Sequence, residues 1–437
     1  MKKLNELAKN VVHMSLKQGA RDAAVSMERT RFIELKQRDG QLERVRESSS
    51  SSLNLSVYVD GRYSQHTTSD LRPSALSSFV EQAIAVTRFL EPDEHRQLID
   101  PKYYKDRHTA SLDIRDTGYE SIDTRKRTAL ARAVEAGAKR LKGPIISVNA
   151  QYQDQLSERV RVHSNGFEDG ETSTGFWIGA VTSVDDKGKK PEDGYYIGGR
   201  FLADMQNPEA VGEEASRRAL DRRGQKKLSS GPMNVIVEAQ TAGRLLGYFM
   251  RALRGSEIQQ QRSFLVDQQG KRVGSELFTL VDDPLLPRGM GSARFDADGM
   301  SLKKRTLVDA GQLQGYLINN YYARKLGVAP TGGSSTNVIM PPGKMSIEAL
   351  CAQLGTGVLM TGMLGGNADP TTGDFSHGFQ GYEIKGGKLA GPVGEMNITG
   401  SHKTLWSKLK MVGNDPYRYS RWRLPSLVFE GVSVSGA

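Results

Sequence analysis

Two periods of hydrophobic and polar residues run along this chain. In residues 1–19, Leu4, Leu7, Ala8, Val11 and Val12 recur at helical spacing with Asn, Glu and Lys between them. This predicts an amphipathic helix and not the unbroken apolar stretch of a secretion signal. The period then drops to two. "FIELKQRDGQLERVRE" and "LNLSVYVDGRYSQHT" read as strand, turn, strand, turning at Asp39-Gly40 and Asp60-Gly61, where glycine supplies the positive φ of a tight hairpin. Leu53, Leu55, Val57 and Val59 alternate, which buries one face and wets the other. The serine run 48–52 lies between strand signals and reads as exposed strand.

The helical period returns in "RPSALSSFVEQAIAVTRFLEP", with a stripe of Leu76, Phe79, Val80, Ala83, Ile84 and Thr87 and a stop at Pro92. A looser copy of the pattern follows. It predicts a helix near 122–142, strands near 145–152 and 159–163, a turn at "SNG", a long strand near 172–184, and a helix ending near Arg223. The polar linker "GQKKLSSG" precedes "MNVIVEA", and beyond it the chain is richer in glycine and short apolar strands. The fold class is therefore α+β. Residues 1–228 form an N-terminal domain of helices on an antiparallel or mixed sheet, itself divisible near residue 100. Residues 229–437 form a β-rich curved sheet or barrel-like domain with a few helices.

Composition narrows the function classes. A hydrophobic share of 37% and a charged share of 25% are those of a globular protein, and no apolar run approaches the roughly 20 residues of a membrane helix. One cysteine, Cys351, excludes an internal disulfide and fits a reducing cytoplasm. It shares a helix face with Ile347, Leu350 and Leu354, which predicts buried packing. The net charge of +10 raises the question of nucleic acid. Its densest run, "RRALDRRGQKK", closes a helix with early acids and late bases, which predicts a solvated helix end. "YRYSRWR" at 417–423 interleaves arginine with aromatic rings and is the other candidate for such contacts.

Familiar catalytic signatures are missing. The chain has no P-loop, no nucleophile elbow and no dinucleotide fingerprint. None of the seven histidines has another within two helical turns, so the paired-histidine helix of a hydrolytic zinc site is missing too. His377, His402 and Asp374 could meet only through the fold. Asn367, Asp369, Asp374 and His377 crowd the glycine-rich region 365–378, where Asp369-Pro370 and Gly373 predict turns.

Three blocks carry a specific resemblance: "TLVDDPLLPRGMGSARFDADGM" (279–300), "GQLQGYLINNYYARKLG" (311–327) and "GNADPTTGDFSHGFQGYEIKGGKLAGPVGEMNITG" (366–400). With "RDGQLERVRESSSSSLNLSVYVDGRYSQHTTSDLRPSALSSFVEQAIA" upstream, the chain resembles the TldD/PmbA family, also called modulator of DNA gyrase, in its PmbA (TldE) branch. The TldD branch carries an HExxxH helix and a late cysteine and looks like a zinc peptidase acting on unfolded or short peptides. Laid on "AGRLLGYFMRALRGSE", the motif's first His falls on Gly247, its Glu on Tyr248 and its second His on Ala252. No cysteine follows Asn414 and Asp415. Neither glycine nor alanine offers a ligand, and a phenol with an ordinary pKa of about 10 is a poor substitute for a carboxylate base.

The resemblance therefore implies a non-catalytic subunit of a cytoplasmic TldD/TldE-type peptidase, with no metal of its own and zinc in a TldD-like partner. A homodimer through the C-terminal half is expected of the chain when alone, since closed two-fold dimers are the commonest assembly of soluble chains. The helix would be kept for packing, with Leu245, Leu246, Phe249, Met250 and Leu253 buried. Asn319, Asn320, Gly365, Gly366 and Asn367 are the candidate peptide-binding residues, since glycine-flanked strands allow an extended peptide to approach a sheet edge. Two other readings stay open at this stage: an independent hydrolase with an unrecognised site, and a binding protein for DNA gyrase or its inhibitors.

Overall fold

The structure, a computed structural model, describes residues 1–436. Helix α1 (Lys2–Lys17) leads into a meander of β1 (Asp22–Arg38), β2 (Gln41–Val59) and β3 (Arg62–Thr68), followed by α2 (Pro73–Thr87). Both Asp-Gly turns form as the sequence predicts. Asp39 and Gly40 have φ of 51° and 78°, Asp60 and Gly61 of 49° and 76°, the positive pair that a two-residue hairpin needs. The serine run lies within β2 and pairs with residues 48–52's partners on β1, from Phe32 to Glu28.

The second half of this domain runs α3 (Thr124–Ala138), β4 (Ile145–His163), β5 (Glu168–Val184), β6 (Glu192–Gly199) and α4 (Pro208–Leu220). Because β1 pairs with β4 from Ala24↔His163 to Arg38↔Asn149, one antiparallel sheet of order β3-β2-β1-β4-β5-β6 passes through both pieces. Helices α1 and α2 bury Leu4, Ala8, Val11, Leu76, Val80 and Ile84 against one part of it. Helices α3 and α4 bury Ala131, Val134, Val211 and Ala215 against the other.

Sequence polarity misled in the middle of β4. The two short strands expected near 145–152 and 159–163 are a single strand, because its polar middle is internally satisfied. Asp154 is fully buried yet accepts from Tyr119 Oη (2.7 Å), Tyr152 Oη (2.8 Å) and Arg127 Nε (2.6 Å). A buried charge with three donors does not break a strand.

Strand β7 (Gly231–Val237) opens the second domain and feeds α5 (Ala239–Ala252) and the short α6 (Gly255–Gln259). A small sheet follows from β8 (Leu280–Asp282), β9 (Arg305–Asp309) and β10 (Gln312–Leu313), then α7 (Asn320–Leu326), β11 (Val338–Ile339) and α8 (Ile347–Leu354). The last stretch is β12 (Gly357–Ala368), β13 (Asp374–Lys385), β14 (Lys388–Ser401), α9 (His402–Leu405), β15 (Leu409–Val412), β16 (Trp422–Arg423) and β17 (Leu427–Ser435). Strands β14, β13, β12, β7 and β17 are neighbours in that order, and β14 also pairs with β17. This closes a five-stranded barrel, the limiting case of the expected curved sheet, and closure leaves no free edge among those strands. Cys351 is buried with Leu350, Ile236 and Val428, as its helical spacing predicts.

The basic run at 217–227 is not a plain solvated helix end. Arg218 is buried and binds Glu214 (2.9 Å) and Glu238, the residue just before α5, so α4 is tied to the second domain by a charge pair. Arg294–Asp169 (2.8 Å) and the bonds from Arg200 to the carbonyls of Gly289 (3.2 Å) and Met290 (2.7 Å) add to that junction.

Candidate functional site

The helix singled out by the sequence is α5, which leaves β7 directly and lays its apolar face on the core of the second domain. Leu245, Leu246, Phe249, Met250 and Leu253 are buried as expected. Ala252 is buried among them. Gly247 faces Trp422, whose ring would lie 3.5 Å from a Cβ built there. Tyr248 lies over His377 with ring centroids 4.8 Å apart and planes 21° from parallel, and 6.0 Å from the ring of His402.

These two histidines come from strand β13 and the start of α9, 25 residues apart, and the barrel brings them together. Around them pack Phe375 (5.4 Å from His377, 5.0 Å from His402), Phe264 (6.1 Å from His402) and Trp406 (6.2 Å from His402). Neither imidazole is exposed, and none of the four ring nitrogens has a hydrogen-bond partner. Burial, and the neighbouring His377, push the pKa of His402 down to about 3. Burial and the Arg244 charge push His377 down as well. Both rings are neutral at physiological pH.

This donor set does not fit a hydrolytic zinc. Such an ion needs three protein ligands aimed at one point. Here the helix contributes glycine, tyrosine and alanine, and the two imidazoles are packed by their faces against other rings. Cys351 lies in another cluster, on α8. Among the described residues no three His, Cys, Asp or Glu side chains converge as a metal site. Asp374 is exposed while His377 points inward, so the fold does not bring Asp374 to the two histidines; alternate residues of a strand face opposite ways.

The other sequence candidates fall in two places. Asn319 caps α7, its Oδ1 accepting from the Tyr322 N–H at 3.0 Å. Asn320 donates from Nδ2 to the Gln97 carbonyl (2.7 Å), and its N–H donates to Asp298 (2.9 Å). Both line a cavity of about 430 Å³ between the N-terminal sheet and the second domain. Gly365, Gly366 and Asn367 do not line it. They are exposed near the end of β12, paired with Gly378, His377 and Ser376 of β13. The turn expected at Asp369-Pro370 forms, with Asp369 Oδ1 accepting from the Thr371 N–H at 2.7 Å.

Sequence reasoning missed the other walls of the cavity, among them Tyr58, Tyr63, Arg96, Arg161 and His163. One signal was available. In "RVRVH" Arg161 and His163 share a strand face, so their side chains stand on the same side of the sheet, while the fold decided what covers them.

Comparison with known proteins decides the lineage. Family models match in series: PmbA/TldA metallopeptidase domain 1 over residues 23–87, the central domain over 118–223, and the C-terminal domain over 230–436. This chain belongs to the TldD/PmbA family. Among curated TldD/PmbA proteins it is 29% identical to metalloprotease PmbA of Escherichia coli O157:H7 over 426 residues, covering 97% of this chain and 94% of that one. The crystal structure of a candidate modulator of DNA gyrase from Bacteroides thetaiotaomicron superposes with a TM-score of 0.97 at 36% identity, over the whole of both chains. TldE from Thermococcus kodakarensis shares the fold at a TM-score of 0.85 and 18% identity, covering 98% of this chain and all of that one. The TldD/PmbA architecture thus extends over the full described chain. No helix in it is long and apolar enough to cross a membrane.

Proposed function

We propose that this chain is the non-catalytic member of a cytoplasmic TldD/TldE-type peptidase, in which a TldD-like partner holds zinc and this subunit supplies interface and peptide-binding surface. The observation that carries the reading is Tyr248. It stands where a zinc peptidase of this family would need its catalytic carboxylate, and it is stacked on His377. An aromatic ring packed flat against a neutral imidazole is a hydrophobic contact and offers no general base.

The gyrase reading draws on the description of the Bacteroides relative, and no feature of the site favours it. An independent hydrolase in region 365–378 has against it that His377 is buried while Asn367, Asp369 and Asp374 face outward.

Metal analysis and reconstitution test the proposal. The dialysed chain is expected to hold far less than one zinc and to cleave no unfolded casein alone, while restoring chelator-sensitive cleavage to a TldD-type partner. Stoichiometric zinc with peptidase activity in the isolated chain overturns it. Capture of gyrase without any metal-bearing homologue in a pull-down moves the function to the gyrase reading.

A further inference from the structure

The cavity between the two domains contains hydrogen-bonding capacity that the protein itself leaves unused. Arg161 and His163 both line it from β4. Nη1 of Arg161 donates to the Ala297 carbonyl, and Nη2 reaches Ser26 Oγ only at 3.5 Å. Its Nε–H is buried and has no partner. Nε and Nη2 together form the side-on edge of a guanidinium, the edge that receives the two oxygens of a carboxylate.

The neighbours of His163 assign its tautomer. Asn165 donates from Nδ2 to the Ile99 carbonyl at 2.8 Å, which leaves its Oδ1 to accept from the Tyr104 hydroxyl at 2.8 Å. Having given its proton to Asn165, that hydroxyl accepts from Nδ1–H of His163 at 3.1 Å. Nε2 therefore carries a lone pair. The ring is only 4% exposed, and Nε2 has no donor. Burial, with the Arg161 charge, pushes the pKa down to about 3, so the ring stays neutral and Nε2 stays an acceptor. Asp298 adds a carboxylate to the lining from the second domain, with one oxygen already held by the Asn320 N–H at 2.9 Å.

We propose that this cavity binds a small zwitterion, an α-amino acid, whose carboxylate sits on the side-on edge of Arg161 and whose ammonium is shared between His163 Nε2 and the Asp298 carboxylate. A ligand with only one of the two charges leaves either a buried donor or a buried acceptor unmatched, which weakens its binding by about tenfold or more. Tyr58, Tyr63 and Tyr321 line the rest of the cavity, where the side chain of the amino acid would lie. Arg96, which also lines the cavity, stacks between Tyr63 (4.6 Å) of the N-terminal sheet and Tyr321 (3.5 Å) of α7 and so joins the two domains beside it. The assignment needs no partner subunit and stands independently of the peptidase reading.

Calorimetric titration of the full chain with L-phenylalanine, L-leucine and glycine, against phenylacetate and phenethylamine as single-charge controls, tests it. At least one amino acid is expected to bind with a Kd between about 1 μM and 1 mM and to raise Tm, with both controls at least about tenfold weaker. Arg161→Gln should abolish binding. Should that variant fail to fold, Gln65→Trp, which narrows the cavity from its exposed rim, should abolish binding with Tm unchanged. Absence of binding by every amino acid at about 10 mM overturns the proposal. So does phenylacetate binding as tightly as phenylalanine, or undiminished binding in a folded variant of either kind.

Discussion

Tyr248 and His377 lie face to face, 4.8 Å between ring centroids, and this contact packs α5 against strand β13 of the barrel. Replacing Tyr248 by alanine should open a void beside both buried histidines and destabilise the chain by about 2–4 kcal/mol. Urea unfolding measures the loss. In the variant the ring protons of His377 and His402 should titrate closer to neutrality by NMR; unchanged stability and unchanged titration would contradict the packing role.

Acid sensitivity follows from the same rings. His402 and His163 are held at about 3, and His377 below its ordinary value, whereas in the unfolded chain all three titrate near 6.5. The unfolded state therefore binds more protons below pH 6.5. Stability is fully present above that pH and falls as pH drops towards the folded values, by up to about 1.4 kcal/mol per pH unit per group. His402→Phe should flatten the fall between pH 6.5 and 4 by roughly one group's share, as read from denaturant midpoints across pH.

The ion pair of Arg127 with Asp154 is enclosed, with 4% and 0% side-chain exposure. Arg127→Leu leaves Asp154 buried with only the Tyr119 and Tyr152 hydroxyls, and should cost about 3–5 kcal/mol. Replacing both residues by leucine should recover part of the loss, a difference that a double-mutant cycle by chemical denaturation reads directly.

Gly366 and Gly365 separate structure from surface in the candidate peptide-binding strand. At Gly366, φ is 132° and a Cβ would stand 2.1 Å from the Ser376 carbonyl oxygen and 2.5 Å from His377 Nδ1. At Gly365 nothing lies within 4 Å. Gly366→Val should therefore lose the fold or several kcal/mol, and so cannot report on peptide binding. Gly365→Val should leave Tm within a few degrees while lowering peptide cleavage by a reconstituted complex; full activity would remove this strand from the substrate path.

The sequence by itself determined what is local. Asp-Gly pairs set both hairpin turns because only certain residues tolerate positive φ, and the 3.6-residue spacing of Leu245, Leu246, Phe249 and Met250 set the buried face of α5. That Gly247, Tyr248 and Ala252 offer no imidazole or carboxylate was equally legible, since residue identity needs no coordinates. Tertiary structure alone decided what depends on residues distant in the chain. The polar middle of β4 is strand because Arg127 and Tyr119 arrive from elsewhere to satisfy Asp154. His377 faces inward and Asp374 outward because strand alternation assigns sides only after the barrel has closed. Arg161, His163, Asp298 and Asn320 line one cavity because two domains meet there, and no period along a single segment encodes a meeting between segments.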